Sequence, residues 1–420
     1  MKITLAGIEF DDLREFTKFV NDLDLLGIVQ LRESIRDKKG NILIKDNVHI
    51  KESALKKLES LSGQYESKFK VNMTSDVTGR IKKALTAEIM PGIQKSKNEF
   101  ISILYNNDQS SVVSTESLIN SSFYTNDLVL VLYKIMLEQY DFFQHIVSMG
   151  LICLGTVVQR SYNIKLIHRY AFLTGMFSDV IFFNTDYWRK SNLDDTLMER
   201  LAKLNAQIAQ NVNMPAQIVS AIQNHIVKGV YVVDKPDPMD FNVLNANPFL
   251  ESVPRETGGG DDYGLVDNEY FEETVKILTE SLKITRFISE TYKRISGGDN
   301  VAEKLLVMFC YNVEKGIFDK GISNPMIERF REYEKIVART RKIAELENRC
   351  IHIPSAWAYP KPKATQILCK NKVLECPNYV SGWDINVVTA QEAVGYVGTA
   401  LKPGAYPKCK LEKELTELKG

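Results

Sequence analysis

The residues of this chain that could bind a metal or move a proton are few and far apart. His145 and His225, two of its five histidines, lie in predicted helices, and Glu290 lies at helical spacing in a polar stretch, next but one to Tyr292. Imidazoles and carboxylates are residue types that can ligate a metal ion. Each residue also has a simpler interpretation: a core histidine, a histidine near a helix end, and a salt-bridged glutamate.

A second group of potential ligands lies near the C-terminus. Cys350, Cys369, Cys376 and Cys409 occur in the last segment together with His352. Their spacing matches no standard zinc pattern, so we expect no metal there, although the residues leave a zinc site open. The absence of a CxxC pair from the sequence favours reduced thiols and a cytoplasmic protein.

Two cations in a long loop could contact a phosphate group. Residues 234–268 hold four prolines and the run Gly258–Gly260, with Lys235 and Arg255 among them. Arginine and lysine are the side chains that bind phosphates, so these two are the candidates for a nucleotide ligand. The glycine run precedes two aspartates and no helix, which favours a hinge over a phosphate-binding loop.

The composition limits the function classes. Of the 420 residues, 44% are hydrophobic and 25% are charged, which predicts a folded chain. Lysine plus arginine and aspartate plus glutamate both number 53, so no net charge attracts nucleic acid. The N-terminus carries charges, and we expect no apolar run long enough to span a bilayer. These features predict a cytoplasmic protein without nucleic-acid binding or membrane insertion, and no cofactor is indicated.

The secondary structure predicted from the sequence pattern indicates a mainly α fold. Residues 1–75 read as a small α+β module with strands at Ile28–Ile35, Asn41–Ile44 and Lys68–Asn72, and with one helix. Residues 76–124 read as a helical connector interrupted at Pro91-Gly92, with a Ser-rich loop or helix entry after it.

Residues 125–345 have the periodicity of a helical bundle. Residues 126–163 are too apolar on all sides for a surface helix and therefore predict core helices. Further helices are predicted at Asp194–Asn211, from Pro215 to Gly229 and at Glu269–Lys293, and two shorter ones lie around a turn at Gly316–Asn324.

The last segment, 346–420, has a different composition. Its prolines exclude long helices over most of its length, and short β-like runs predict a partly β appendage. Trp357, Tyr359 and Trp383 could anchor a protein partner, because aromatic residues dominate interface energetics. The alternative is a small β-rich cap that packs on the helical domain.

Two stretches and their order resemble the HD-GYP proteins, helical metal-dependent phosphohydrolases that act on cyclic di-GMP. RDKKGNILIKDNVHIKESALKKLESLS, within residues 1–75, is similar to the short domain that often precedes HD-GYP domains. VAEKLLVMFCYNVEKGIFDKGISNPMIERF is similar to the closing helices of the family, through Ala302, Leu305, Gly316, Phe318, Asp319 and Phe330. The resemblance covers most of the first 335 residues and implies an HD-like helical bundle.

The metal motifs of the family are mostly replaced. His145 falls where the first metal histidine belongs, and Thr174-Gly175 falls where the His-Asp pair belongs, with Ser178 at the lysine position. His225 resembles the first histidine of a His-His-Glu segment, and Glu290 takes a late aspartate position. A hydroxyl and a hydrogen cannot replace an imidazole and a bridging carboxylate.

The resemblance therefore implies a degenerate member of the family with no catalytic residues and no metal. We expect a non-catalytic signalling or scaffold protein with a protein partner. Two alternatives remain. The first is a metal-dependent cyclic di-GMP phosphodiesterase with a divergent site at His145, His225 and Glu290. The second is a metal-free receptor that binds cyclic di-GMP through Lys235 and Arg255.

Overall fold

The structure, a computed structural model, divides the chain into two compact units, Met1–Arg329 and Phe330–Gly420. It describes residues 1–5, 7–65, 68–94, 99–105, 109–159, 164–190, 193–227, 237–251, 268–295, 301–332, 335, 379–383 and 407–409. The first unit is mainly helical, which confirms the predicted fold class. It contains the predicted module, the connector and most of the predicted helical domain, and the boundary predicted near residue 346 falls within the second unit.

The N-terminal module contains a three-stranded antiparallel sheet, a two-stranded antiparallel sheet and two helices. The strands of the larger sheet are, in order, the first, second and fifth strands of the chain. Its elements are β1 Lys2–Thr4, β2 Gly7–Phe10, α1 Leu13–Asp22, β3 Ile35–Arg36, β4 Ile42–Ile44, α2 Glu52–Ser60 and β5 Phe69–Val71. The strand predicted at 28–35 is wrong, because Gln30 and Leu31 form only single bridges, to His49 and Val71 respectively.

Aromatic side chains form the core of this module and join it to the helices that follow. Phe16 on α1 stacks on Phe69 of β5, with ring centroids 4.9 Å apart. Phe19 meets Tyr133 edge-on at 6.4 Å, and the Lys134 ammonium donates to the Ile3 carbonyl at 3.2 Å. The module therefore packs on the helical part of the same unit.

The predicted connector folds as three helices, α3 Ser75–Gln94, α4 Glu99–Tyr105 and α5 Gln109–Ser122. Pro91 lies inside α3 and does not end it, so the predicted interruption is wrong. Proline removes one helical hydrogen bond, and the packing of α3 against other helices outweighs that loss. The contacts of α3 with α5, α6 and α7 place it against the core.

Eight further helices follow in the described part of the first unit. They are α6 Asn126–Glu138, α7 Tyr140–Gln159, α8 Lys165–Phe177, α9 Asp195–Asn211, α10 Ala216–Asn224, α11 Phe241–Asn245, α12 Asn268–Ile295 and α13 Val301–Glu314, and residues 320–329 are also helical. The prediction for α9 is confirmed, with Asp194 as its N-cap. The prediction that α10 reaches Gly229 is wrong, because α10 ends at Asn224 and His225 is its C-cap.

Helices α7 and α8 cross closely enough to require glycine on both. A Cβ on Gly175 would lie 2.4 Å from the Met149 carbonyl oxygen and 2.8 Å from the Cα of Gly150. A Cβ on Gly150 would lie 2.6 Å from Cγ of Met176. The two glycines therefore set the approach of the two helices.

The expectation that no apolar run could span a bilayer is wrong for α7. Its residues Tyr140–Val158 are long and apolar enough, and 72% of that window is buried inside the protein. Burial of this extent is that of a core helix, since α7 contacts α3, α4, α6, α8 and α12. A cytoplasmic location remains a prediction.

The turn after α13 forms as the sequence indicates. Gly316 adopts a positive φ of 73°, which glycine tolerates without strain. Asp319 caps the next helix by accepting from the Gly321 amide at 2.8 Å. Phe318 is buried between Phe287 and Phe309, with centroids 5.3 and 5.6 Å away. The stretch thus has a packing role.

Within the second unit, the structure describes two short strands. β6 Tyr379–Trp383 and β7 Pro407–Cys409 pair in the antiparallel sense. Trp383 and Cys409 lie in these strands, which agrees with a partly β appendage. The other ligand and anchor candidates of this segment lie outside the described residues: Cys350, His352, Trp357, Tyr359, Cys369 and Cys376.

Candidate functional site

His145 lies on α7 and is held from two sides. Its side chain is 8% exposed, and its Nε2 lies 2.6 Å from Oδ2 of Asp179. Its ring stacks on Trp188 at a centroid distance of 5.1 Å and on Phe142 at 6.2 Å. The imidazole therefore has one fixed polar partner and an aromatic cover.

Asp179 follows the C-cap of α8 and is fully buried. Besides His145, it contacts the guanidinium of Arg286, whose Nη2 also donates to the Ser178 carbonyl at 3.1 Å. Arg286 lies in the middle of α12 and its side chain is 2% exposed. A charge this deep is tolerated only when paired and hydrogen-bonded.

Glu290 and Lys293 lie on the next turns of α12. Together with His145, Asp179 and Arg286 they form a buried cluster, which we call the centre. Glu290 Oε1 lies 3.1 Å from the Lys293 ammonium and 3.8 Å from Nη1 of Arg286, and the glutamate side chain is 4% exposed. Lys293 also donates to the Trp188 carbonyl at 2.7 Å. Lys293 thus ties the aromatic cover of His145 to the same helix.

His225, at the end of α10, has one ring nitrogen in a hydrogen bond. Its Nδ1 lies 2.7 Å from the Ile222 carbonyl, which can only accept, so Nδ1 carries the proton. Its Nε2 is buried and has no hydrogen-bond partner among the residues that the structure describes. His225 is the C-cap of α10, which packs against α12 and α8.

The backbone that carries Asp179 is fixed by two buried asparagines. Asn205 on α9 donates to the Ser178 carbonyl at 2.6 Å and accepts from the Ile181 amide at 2.8 Å. Asn247 donates to the carbonyls of Val180 and Ile181, both at 3.0 Å. This turn is therefore held rigidly by side chains from two other segments.

The pKa values of the buried groups indicate charged ion pairs and neutral histidines. Burial opposes the charge of Asp179, yet Arg286 and the hydrogen bond from His145 outweigh it and hold the pKa of Asp179 well below its usual value. Burial lowers the pKa of His145, against the opposing effect of Asp179. Burial, then Arg286, lowers the pKa of His225 to about 3. At neutral pH Asp179 is therefore charged and both imidazoles are neutral.

Of the predicted site residues, the structure links His145 and Glu290 through Asp179 and Arg286. His225 caps α10, which packs against α12, and Thr174 and Gly175 lie elsewhere. The Thr174 hydroxyl donates to the Tyr170 carbonyl at 2.7 Å, and Gly175 lies at the α7–α8 crossing. The acid that meets His145 is Asp179, four residues after Gly175. Lys235 and Arg255 lie outside the described residues.

Sequence reasoning missed Asp179 and Arg286, although each leaves a signal. Asp179 is the only charge between Arg169 and Asp186 in a strongly apolar stretch. Arg286 follows Leu278 and Leu282 at the helical repeat of four, on the stripe that is buried. A charge on a buried stripe indicates a partner across the core.

The donor set does not fit a bound metal in this arrangement. The two end nitrogens of Arg286 face Asp179 and Glu290, so a cation already lies between the two carboxylates. In the part of the chain that the structure describes, no three histidine, cysteine or acidic side chains are grouped to hold a metal ion. Of the residues that resemble metal ligands, Glu290 pairs with Arg286 and Lys293, and His145 donates to Asp179.

Comparisons with known proteins give no relative. The chain matches no family model, no curated protein and no solved structure.

Proposed function

We propose that this chain is a non-catalytic signalling or scaffold protein, with a helical domain of the HD-GYP kind whose former reaction centre is now an internal ion-pair network. The observation that carries the proposal is the Arg286 guanidinium between Asp179 and Glu290. A metal that activates water needs open coordination positions, and a guanidinium offers none. The support for the family itself is the resemblance of the sequence.

The electrostatics of the two histidines support the same proposal. A general base needs a lone pair that reaches substrate and a pKa near the working pH. The pKa of His225 is about 3, which is too low for a base at neutral pH. His145 donates from Nε2 to Asp179, and its ring is stacked between Trp188 and Phe142 in the interior.

The activity test uses cyclic di-GMP, the substrate of the family that the sequence resembles. We expect the purified full chain to show no hydrolysis above buffer when Mn²⁺ or Fe²⁺ is supplied. Turnover that is lost in Asp179→Asn would overturn the proposal and favour a divergent phosphodiesterase. Binding without turnover, measured by calorimetry, would identify a receptor, and Lys235→Ala and Arg255→Ala would then map its pocket.

A protein partner is supported by an apolar face on α13. Met308 is 41% exposed and Tyr311 is 60% exposed, and their spacing of three puts them side by side. Methionine and tyrosine are enriched at protein interfaces. We expect a photo-crosslinking side chain at position 311 to capture one defined protein in cells, whereas the same group at exposed position 116 on α5 captures none.

A further inference from the structure

Lys82 on α3 and Arg169 on α8 are half-buried cations without an acidic partner among the described residues. The Nε atom of Arg169 is itself buried, and in the described part of the chain it has no hydrogen-bond partner. A buried donor without an acceptor is costly, so its presence requires a reason. The reason we consider is an anion that these cations bind.

The segment that joins α5 to α6 lies against both cations' helices. The guanidinium of Arg169 lies over the ring of Tyr124, 6.0 Å from its centroid. Two residues later, the Asn126 side chain accepts from the Thr78 hydroxyl of α3 at 2.8 Å. Lys82 follows Thr78 by one helical turn and lies on the same face of α3. Since α5 also contacts both α3 and α8, Lys82 and Arg169 approach one segment from two helices.

The positive charges at this position are not balanced. Burial, and then the charge of Arg169, lower the pKa of Lys82, and no acidic side chain of the described residues opposes them. Lys165 is an exposed third cation one turn before Arg169 on α8, also without an ion pair in the described part of the chain. Like charges at this helical spacing are destabilising. A bound anion would remove the repulsion and give the Nε of Arg169 an acceptor.

We infer that Lys82 and Arg169, with Lys165 at the rim, bind the phosphate group of a phosphomonoester. A phosphomonoester carries a charge of about −1.5 to −2 at neutral pH, which matches the two positive charges of Lys82 and Arg169. The planar guanidinium of arginine donates two parallel hydrogen bonds to phosphate oxygens, and lysine adds a point charge. The inference goes beyond the proposed function and does not rest on it, because the site shares no residue with the centre.

The test measures the thermal unfolding midpoint of the full-length chain against the concentration of inorganic phosphate at constant ionic strength. A ligand that binds only the folded state raises the midpoint, and the rise gives its dissociation constant. Phosphate also stabilises proteins without specific binding. The matched control is therefore Lys83→Met, which removes a charge from the exposed neighbour of Lys82.

We expect Lys82→Met and Arg169→Gln each to raise the dissociation constant for phosphate about tenfold or more, and Lys83→Met to leave it unchanged. Each shift is taken relative to the same protein without phosphate, so a variant with a lower starting midpoint still gives an answer. Equal phosphate-induced shifts in the wild type and the three variants would overturn the inference. A loss in Lys83→Met as large as that in Lys82→Met would overturn it too.

Sedimentation with vesicles of phosphatidic acid and phosphatidylcholine distinguishes a soluble ligand from a lipid headgroup. We expect no sedimentation, because Lys82 and Arg169 are half-buried below the surface. Sedimentation that is lost in Lys82→Met and kept in Lys83→Met would assign the phosphate group to a lipid.

Discussion

Arg286 on α12 forms a buried ion pair with Asp179 at the end of α8, across 107 residues of sequence. Because Asp179 also accepts from His145 on α7, three elements meet at one carboxylate. The contact therefore ties the central helices together at a point where apolar packing alone would be expected.

Breaking this pair from one side is expected to be costly. Asp179→Asn removes the negative charge and leaves Arg286 buried without a counter-ion, so we expect a loss of about 3–5 kcal/mol in the free energy of unfolding. Denaturation by urea, followed by circular dichroism, measures it. Asp186→Asn is the control, since Asp186 is 84% exposed and pairs with Arg189 at the surface, where a pair contributes about 0–1 kcal/mol. Equal losses in the two variants would contradict the buried pair.

The free energy of unfolding is expected to decrease as the pH is lowered, already above the pH at which exposed carboxylates become protonated. His225 has a pKa of about 3 in the folded state, against about 6.5 when unfolded. Between these values the unfolded chain binds the proton and the folded chain does not, so stability decreases as pH falls. The slope for one such histidine is about 1.4 kcal/mol per pH unit. Unfolding curves from pH 7 to 4 measure it.

The variant His225→Gln separates this histidine from other titrating groups. Between pH 6 and 4 we expect its free energy of unfolding to change less with pH than that of the wild type. The difference in slope is at most that of one bound proton, about 1.4 kcal/mol per pH unit. Parallel pH curves for the variant and the wild type would show that His225 is not buried in its neutral form.

The crossing of α7 and α8 leaves no room for a side chain at Gly175. In Gly175→Ala the new Cβ would meet the Met149 carbonyl at 2.4 Å and Cys153 at 2.8 Å. Since backbone must shift, we expect a loss of about 1–3 kcal/mol or more. In the control, Gly79→Ala on α3, nothing lies within 4 Å of the new Cβ. The control should be neutral or gain about 0.5–1 kcal/mol. A stable Gly175→Ala protein would contradict the close crossing.

The helical part of the fold could be predicted because its signals are local. Asp194 before an acidic, amphipathic run marked the start of α9, and the apolar run of α7 marked a core helix. The missed strands β1 and β2 contain only three and four residues, too few for a clear alternation. Pro91 predicts an interruption that does not occur, because the tertiary packing of α3 outweighs the one hydrogen bond that proline removes.

The centre could be predicted only in part because it depends on contacts between distant residues. His145 and Glu290 could be proposed from their surroundings in the sequence, whereas the contact of Asp179 with Arg286 depends on the crossing of three helices. The sequence predicts no acid opposite His145, because Gly175 stands at the position of the family's aspartate. Sequence spacing does not show that Asp179, four residues later, accepts a hydrogen bond from His145.

A double-mutant cycle on Asp179 and Arg286 tests the ion-pair centre most directly. The cycle compares the unfolding free energies of the wild type, Asp179→Asn, Arg286→Met and the double variant. We predict a coupling energy of about 3 kcal/mol, because each single variant leaves one buried charge unpaired and the double variant leaves none. A coupling energy near zero would contradict the account that Arg286 is the internal cation of this centre.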